Sequence, residues 1–212
     1  MNMEKLIEYK NVNVSTKIIE KARYLFNQIG VRNTTMDDLA RELGISKKTL
    51  YKEIDNKADL VRICVLSDLK AMENKIKDIS AMYDNAIEEM LVINEEIIDD
   101  IKVYHPSVLH DLMKFYPECC EMIETHKSSF AHQSIANNLA KGIKQGFYRE
   151  DIRIELVTLF QINLSMLPLE QKVMLYDTKD MFFEILKFYI HAITTPKGIK
   201  EFYELINKRD KK

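Results

Sequence analysis

An all-α fold is predicted by three features of the chain. Apolar residues recur at helical spacing from residue 16 onward, with no strand-like alternation and no repeat of fixed period. Only five glycines and four prolines interrupt 212 residues, so long helices can run with few breaks. Capping residues and glycines also fall where one periodic stretch ends and the next begins.

The first helix is "TKIIEKARYLFNQIG", residues 16–30, with Ile18, Ala22 and Phe26 on one face, Leu25 and Ile29 beside it, and Gly30 as its C-terminal cap. "RNTTMDDLARELG" offers Thr34 or Thr35 as the next N-cap, with Asp37 or Asp38 three residues on. Those carboxylates suit the positive end of a helix dipole. Met36, Leu39, Ala40 and Leu43 form its apolar face, and Gly44 ends it. "ISKKTLYKEI" restarts at once, with Ser46 as N-cap and Leu50 and Ile54 facing inward. Asn56 then caps a long helix reaching about residue 79. Further helices are predicted near 82–103, 106–115, 118–145, 153–167, 179–194 and 197–208. Pro106 and Pro117 suit first turns, a turn falls at Gly146, and Pro168 and Pro196 mark breaks.

Composition narrows the function classes. Hydrophobic residues make up 46% and charged residues 30%, a globular balance with material for a real core. Cys64, Cys119 and Cys120 show no metal spacing, and an odd count argues against a disulfide framework. The N-terminal "MNMEKLIEYKNVNVS" has no apolar run like a signal peptide, and no stretch approaches the ~20 apolar residues of a membrane span. The expectation is a soluble cytoplasmic protein that does not meet a membrane. The net charge of −2 is unevenly placed: residues 1–57 hold 11 Lys/Arg against 8 Asp/Glu, and residues 58–212 hold 20 against 25. A basic module for an anionic partner, attached to an acidic body, follows from that split.

Two short helices joined at Gly44 have the form of a helix-turn-helix. Ala40 is small where the helices cross, and Gly44 can take the left-handed backbone that the turn requires. The second helix keeps Leu50 for the core and exposes Lys47, Lys48, Thr49, Tyr51 and Lys52. A recognition helix places such N-terminal side chains at base edges in the major groove.

From about Thr16 to Leu60, with "TTMDDLARELGISKKTLYKEIDNKADLV" at its centre, the chain resembles the TetR (tetracycline-repressor-like) family of transcriptional regulators. The resemblance implies an N-terminal three-helix DNA-binding domain, 1–57, and a C-terminal helical regulatory and dimerisation domain, 58–212. It implies that Thr34 or Thr35 touches phosphate at a helix start. Lys47, Lys48 and Thr49 would face bases or the groove, and Tyr51 would lie against the backbone. Lys57 matches the family's phosphate-contacting lysine, and a cation at a helix N-terminus suits phosphate on physical grounds as well. Where the family usually has an aromatic after "TLYK", this chain has Ile54, so altered packing is expected. Glu53 is unusual near DNA: it either accepts from a cytosine amino group or points to solvent. Arg41 is expected to be solvated.

The body carries the remaining expectations. Residues 153–167 and 180–194 are apolar on several faces, so one face suits the chain's own core and another a second copy. The family also dimerises through two late helices. Leu156, Phe160, Phe182, Phe183, Leu186 and Ile190 are the expected dimer interface. A two-fold dimer implies a near-palindromic operator with half-sites about 34 Å or a multiple apart. Family members commonly repress, and a small-molecule effector in the body would release the operator through the helix 58–79. An activator, or a regulator without a ligand, is the alternative of the same fold. Met90, His110, Met113, Phe130, Phe147 and Met166 suit an apolar ligand with one polar anchor, and equally suit ordinary core. The histidines His105, His110, His126, His132 and His191 form no tight ligand pattern, so no metal and no other cofactor is expected. "NEEIIDDIK", residues 94–102, reads as a solvated face. Neither a glycine-rich phosphate loop nor a G-x-S-x-G elbow is present, so an enzyme is not expected.

Overall fold

The computed structural model of the chain describes residues 14–103, 107–167 and 178–209. Its helices are α1 (Thr16–Ile29), α2 (Met36–Leu43), α3 (Lys47–Glu53), α4 (Lys57–Met82), α5 (Ala86–Val103), α6 (Ser107–Phe115), α7 (Pro117–His126), α8 (His132–Lys144), α9 (Ile154–Met166), α10 (Thr178–Ile193) and α11 (Pro196–Arg209). A single π turn, Lys127–Ala131, joins α7 to α8. The only pairing of extended backbone among the described residues is one isolated bridge between Tyr148 and Thr194. Pro106, His105 and Pro168 lie outside the described residues.

Two boundaries differ from the sequence-based expectation. The stretch expected as one helix over 118–145 is two α-helices with the π turn between them. A π turn inserts residues without needing glycine or proline, so nothing in the local composition marks it. The long helix α4 runs to Met82 rather than stopping near 79, and α5 starts at Ala86.

The described residues form two compact units. The first takes the chain to Met72 together with 101–126, and the second takes 73–100 with everything from 127 onward. In the first, Ile18, Ala22, Leu25 and Phe26 of α1 pack with Leu39 and Ala40 of α2, Leu50 of α3, and Leu60, Val61 and Cys64 of α4. Leu112 of α6 and Cys119 and Met122 of α7 close that core. Each large apolar side chain removed from water contributes roughly 1.5–3 kcal/mol, which fixes the short helices α2 and α3 that propensity alone could not hold.

The core of the second unit draws Ile87, Met90 and Leu91 from α5, Leu139 from α8, Leu186, Tyr189, Ile190 and Ile193 from α10, and Phe202 and Leu205 from α11. This corrects half of the expected dimer interface. Phe182, Leu186 and Ile190 are buried within the chain, because their helical spacing places them on the inward face of α10. Leu156 and Phe160 of α9 and Phe183 of α10 are exposed, together with Leu159 and Phe188.

Candidate nucleic-acid interface

The turn between α2 and α3 is made by local hydrogen bonds. Gly44 sits at φ 65° and ψ 28°, a left-handed conformation that a Cβ would strain. Its N–H donates to the Arg41 carbonyl at 3.1 Å, and the Ile45 N–H donates to the Ala40 carbonyl at 3.0 Å. That pair of bonds is the Schellman arrangement, which satisfies the orphan carbonyls of α2 and turns the chain straight into α3. Ala40 is buried at the crossing, and Leu50 is fully buried beneath α3.

Both helix starts are capped. Thr35 Oγ1 accepts from the Asp38 N–H at 3.1 Å, and the Asp38 carboxylate accepts from the Thr35 N–H at 3.0 Å. The Thr35 hydroxyl also donates to Asp38 at 2.6 Å. These bonds, with the Arg41 guanidinium 2.5 Å away, hold the Asp38 carboxyl below its ordinary 3.8. Ser46 Oγ accepts from the Thr49 N–H at 3.1 Å at the start of α3. Asn56 and Asp59 exchange a similar pair of bonds at the start of α4.

The two threonines therefore differ. Thr34 is buried, and its hydroxyl donates to the Gly30 carbonyl at 2.9 Å, so it is corrected from a possible phosphate contact to an internal brace. Thr35 is the exposed one and the N-cap. Lys47, Lys48, Thr49, Tyr51 and Lys52 are all exposed on α3, brought together on its solvent side. Lys47 Nζ lies 2.5 Å from Asp37, an exposed pair that ties the start of α3 to the first turn of α2. Arg41 is exposed and paired with Asp38. Ile54 is buried in the first core, an aliphatic side chain serving where an aromatic was expected.

Glu53 is exposed. Its carboxylate accepts from the Ser15 N–H at 3.2 Å, at the N-terminus of α1. An acid at that position complements the helix dipole. Lys57 is half-buried, and its Nζ donates to the Arg32 carbonyl at 2.9 Å. Burial lowers its pKa from the ordinary 10.5, and Asp111 and Asp38 oppose that shift. Neither partner is visible in sequence spacing. Asp111 shows only as an acid beside Leu112 on an otherwise apolar helix face.

The residues expected to line a ligand pocket are divided between the two units. Met90 is core of the second unit and Phe147 packs against that core, while His110 and Met113 are exposed on α6 of the first. Phe130 lies under the Lys77 ammonium, 5.2 Å from ring centre, and Phe147 under Lys197 at 4.6 Å. The side chain of Met166 lies outside the described residues. A cavity of about 380 Å³, counted with its open mouth, is present in the first unit between Phe26, Val31, Val61, Cys64 and Leu112. Burial pushes the thiols of Cys64 and Cys119 up to about 12 each, so both are unreactive at neutral pH. Among the described residues, no three His, Cys, Asp or Glu side chains converge as metal ligands would. No described helix is long and apolar enough to cross a membrane.

A capped helix pair around a left-handed glycine, with cations and hydroxyls on the outer face of the second helix, defines a helix-turn-helix module. The family described as "Bacterial regulatory proteins, tetR family" matches residues 18–63. The match is to that family's helix-turn-helix domain and covers α2, α3, most of α1 and the start of α4. An HTH-type transcriptional regulator of Staphylococcus aureus (strain bovine RF122 / ET3-1) is 36% identical over 72 residues, 34% of this chain and 39% of the relative. The chain thus aligns with about two fifths of the length of the curated relatives it matches. Among solved structures, a transcriptional regulator from Saccharomonospora viridis in complex with choline superposes with a TM-score of 0.68 at 19% identity, covering 84% of this chain and 96% of that one. SmeT, the repressor of the Stenotrophomonas maltophilia multidrug efflux pump SmeDEF, superposes with a TM-score of 0.66 at 15% identity, covering 88% and 94%. At those identities the structures establish the shared all-α fold, with an N-terminal helix-turn-helix and a helical body.

Proposed function

We propose that this chain is a homodimeric, cytoplasmic DNA-binding transcriptional regulator, with residues 1–57 as the reading head and 58–212 as the regulatory and dimerisation part. The single observation that carries the reading is the Schellman turn at Gly44 between two capped helices, within the stretch that matches the family. On this reading, Lys47, Lys48, Thr49 and Tyr51 enter or flank the major groove, with Lys52 on the same helix. Thr35 and Lys57 meet phosphate at helix starts, where backbone N–H groups and a cation both favour an anion. Lys47 exchanges its exposed partner Asp37 for the nucleic acid at little cost, since exposed pairs are worth at most about 1 kcal/mol.

Leu156, Leu159, Phe160, Phe183 and Phe188 are the apolar side chains that a second copy covers. Two-fold symmetry then demands a near-palindromic operator. Repression with release by a small-molecule effector is the mode we assign. It is supported by the fold shared with a repressor and with a choline complex.

The test is a titration of the full chain with DNA selected from genomic fragments. Affinity falls steeply with salt, with a slope near −0.9 per neutralised phosphate. Lys57→Ala weakens binding to all sequences and reduces that slope by about one contact, while Lys48→Ala changes sequence preference. A chain with no DNA affinity at low salt overturns the reading. Equal losses on specific and random DNA for both variants overturn the division of roles.

A further inference from the structure

Helix α6 lies far from the helix-turn-helix in sequence, yet it grips the turn that precedes it. Gly30 ends α1 at φ 84°, and an added Cβ there would stand 2.7 Å from Ser107 Oγ and 3.4 Å from Asp111 Oδ2. The backbone is therefore pressed against the first turns of α6. Two residues on, the Arg32 N–H donates to Asp111 Oδ2 at 2.8 Å across 79 positions of sequence. The Arg32 guanidinium stands 5.2 Å from the centre of the Phe115 ring, on the same helix. Asp111 is only 5% exposed, and a carboxylate that buried requires partners of this kind. The Arg32 carbonyl, in turn, accepts from Lys57 Nζ at 2.9 Å.

We propose that Asp111 is a positioning residue for the reading head: from α6 it fixes the Gly30–Thr35 turn and, through the Arg32 carbonyl, holds the Lys57 ammonium where it meets DNA phosphate. The proposal rests on the DNA-binding reading above. Asp111 itself never touches the nucleic acid. Its work is to remove the freedom of a long cationic side chain before binding, so that less ordering is left for the encounter. Because the same helix holds Gly30, Arg32 and, through them, Lys57, any displacement of α6 reaches the phosphate contact directly.

The experiment measures DNA affinity of the full chain between 50 and 300 mM salt, well below the melting temperature of each protein, for D111A, D111N, K57A and both double variants. D111A is expected to weaken binding about fivefold and to lower the salt slope by about one contact, as K57A does. In the K57A background, D111A should then change neither affinity nor slope further, the non-additivity of residues acting through one contact. D111N keeps an oxygen for the Arg32 N–H and should recover most of the slope. A lowered melting temperature with wild-type slope, or effects that add in the double variant, overturns the proposal and leaves a purely structural aspartate. If D111A does not fold, D111S, too short to reach the Arg32 N–H, takes its place: a loss of affinity and slope that is absent in the K57A background sustains the proposal, and wild-type slope or additive effects overturn it. Failure of the wild-type chain to bind DNA at low salt overturns the DNA reading instead, so the two failures are distinct.

Discussion

The reading head and the second unit hold their polar groups in opposite ways. In the helix-turn-helix the capping bonds span three residues: Thr35 with Asp38, Ser46 with Thr49, Asn56 with Asp59. In the second unit they span more than fifty. Lys141 Nζ pairs with the buried Glu89 at 2.8 Å and also donates to the Tyr83 carbonyl. Asn138 donates to the Ala86 carbonyl at 2.9 Å, and the Tyr148 hydroxyl donates to the same carbonyl at 3.3 Å. Exposed local bonds select a conformation at modest energy, whereas buried remote bonds cost much when broken and little when absent on both sides. The surface proposed to meet DNA is exposed, so its shape depends on caps and turns. The body can bury its polar groups because nothing large needs to reach them.

Breaking the remote pair should give the largest effect. Lys141→Ala leaves Glu89 buried without its cation and should destabilise the chain by about 3 kcal/mol in chemical denaturation. Replacing both partners with apolar side chains, Glu89→Leu with Lys141→Met, should recover most of that loss. Recovery that fails would place the cost in packing rather than in an unpaired charge. Next comes Gly198→Ala in α11, whose Cβ would stand 2.1 Å from the Phe147 carbonyl oxygen. The main chain must move there, at about 1–3 kcal/mol by thermal melting.

Smaller effects belong to the head. Gly44→Ala meets no neighbour within 4 Å, so its cost is conformational alone, about 1 kcal/mol, and Gly44→Asn should cost less. Thr35→Ala should cost about 1 kcal/mol of stability through the lost cap, while Thr34→Val acts only on the buried brace. The smallest effect is one of pH. The Asp38 carboxyl lies below its unfolded value of 3.8, so its stabilisation is complete above that pH and is lost as pH falls through the depressed folded value. Acid titration of Asp38→Asn against the parent chain isolates this effect, and identical acid profiles would show that the capping box contributes nothing.

The helix-turn-helix was legible because each of its parts is encoded within a few residues. Gly44, Ser46 and Asn56 act on backbone groups next to them, so spacing alone specifies what they do. Helix boundaries elsewhere followed from periodicity and proline for the same reason. The choice between Thr34 and Thr35 was not legible, since it depends on which hydroxyl faces the first core. The role of Glu53 was equally hidden, because its partner at Ser15 lies 38 positions away. Half of the side chains expected at a dimer face are buried in the chain's own core, since a helix apolar all round does not declare which side its own chain covers.

Short-range sterics and hydrogen bonding thus make the order of the helices, most of their caps and the helix-turn-helix pattern readable along the chain. Tertiary structure alone decided the rest. It assigned Phe182, Leu186 and Ile190 inward and Leu156, Phe160 and Phe183 outward. It also bound Asp111 to Arg32, and Lys57 to the same residue. These outcomes depend on which distant surfaces meet and exclude water, and spacing along the chain does not encode that.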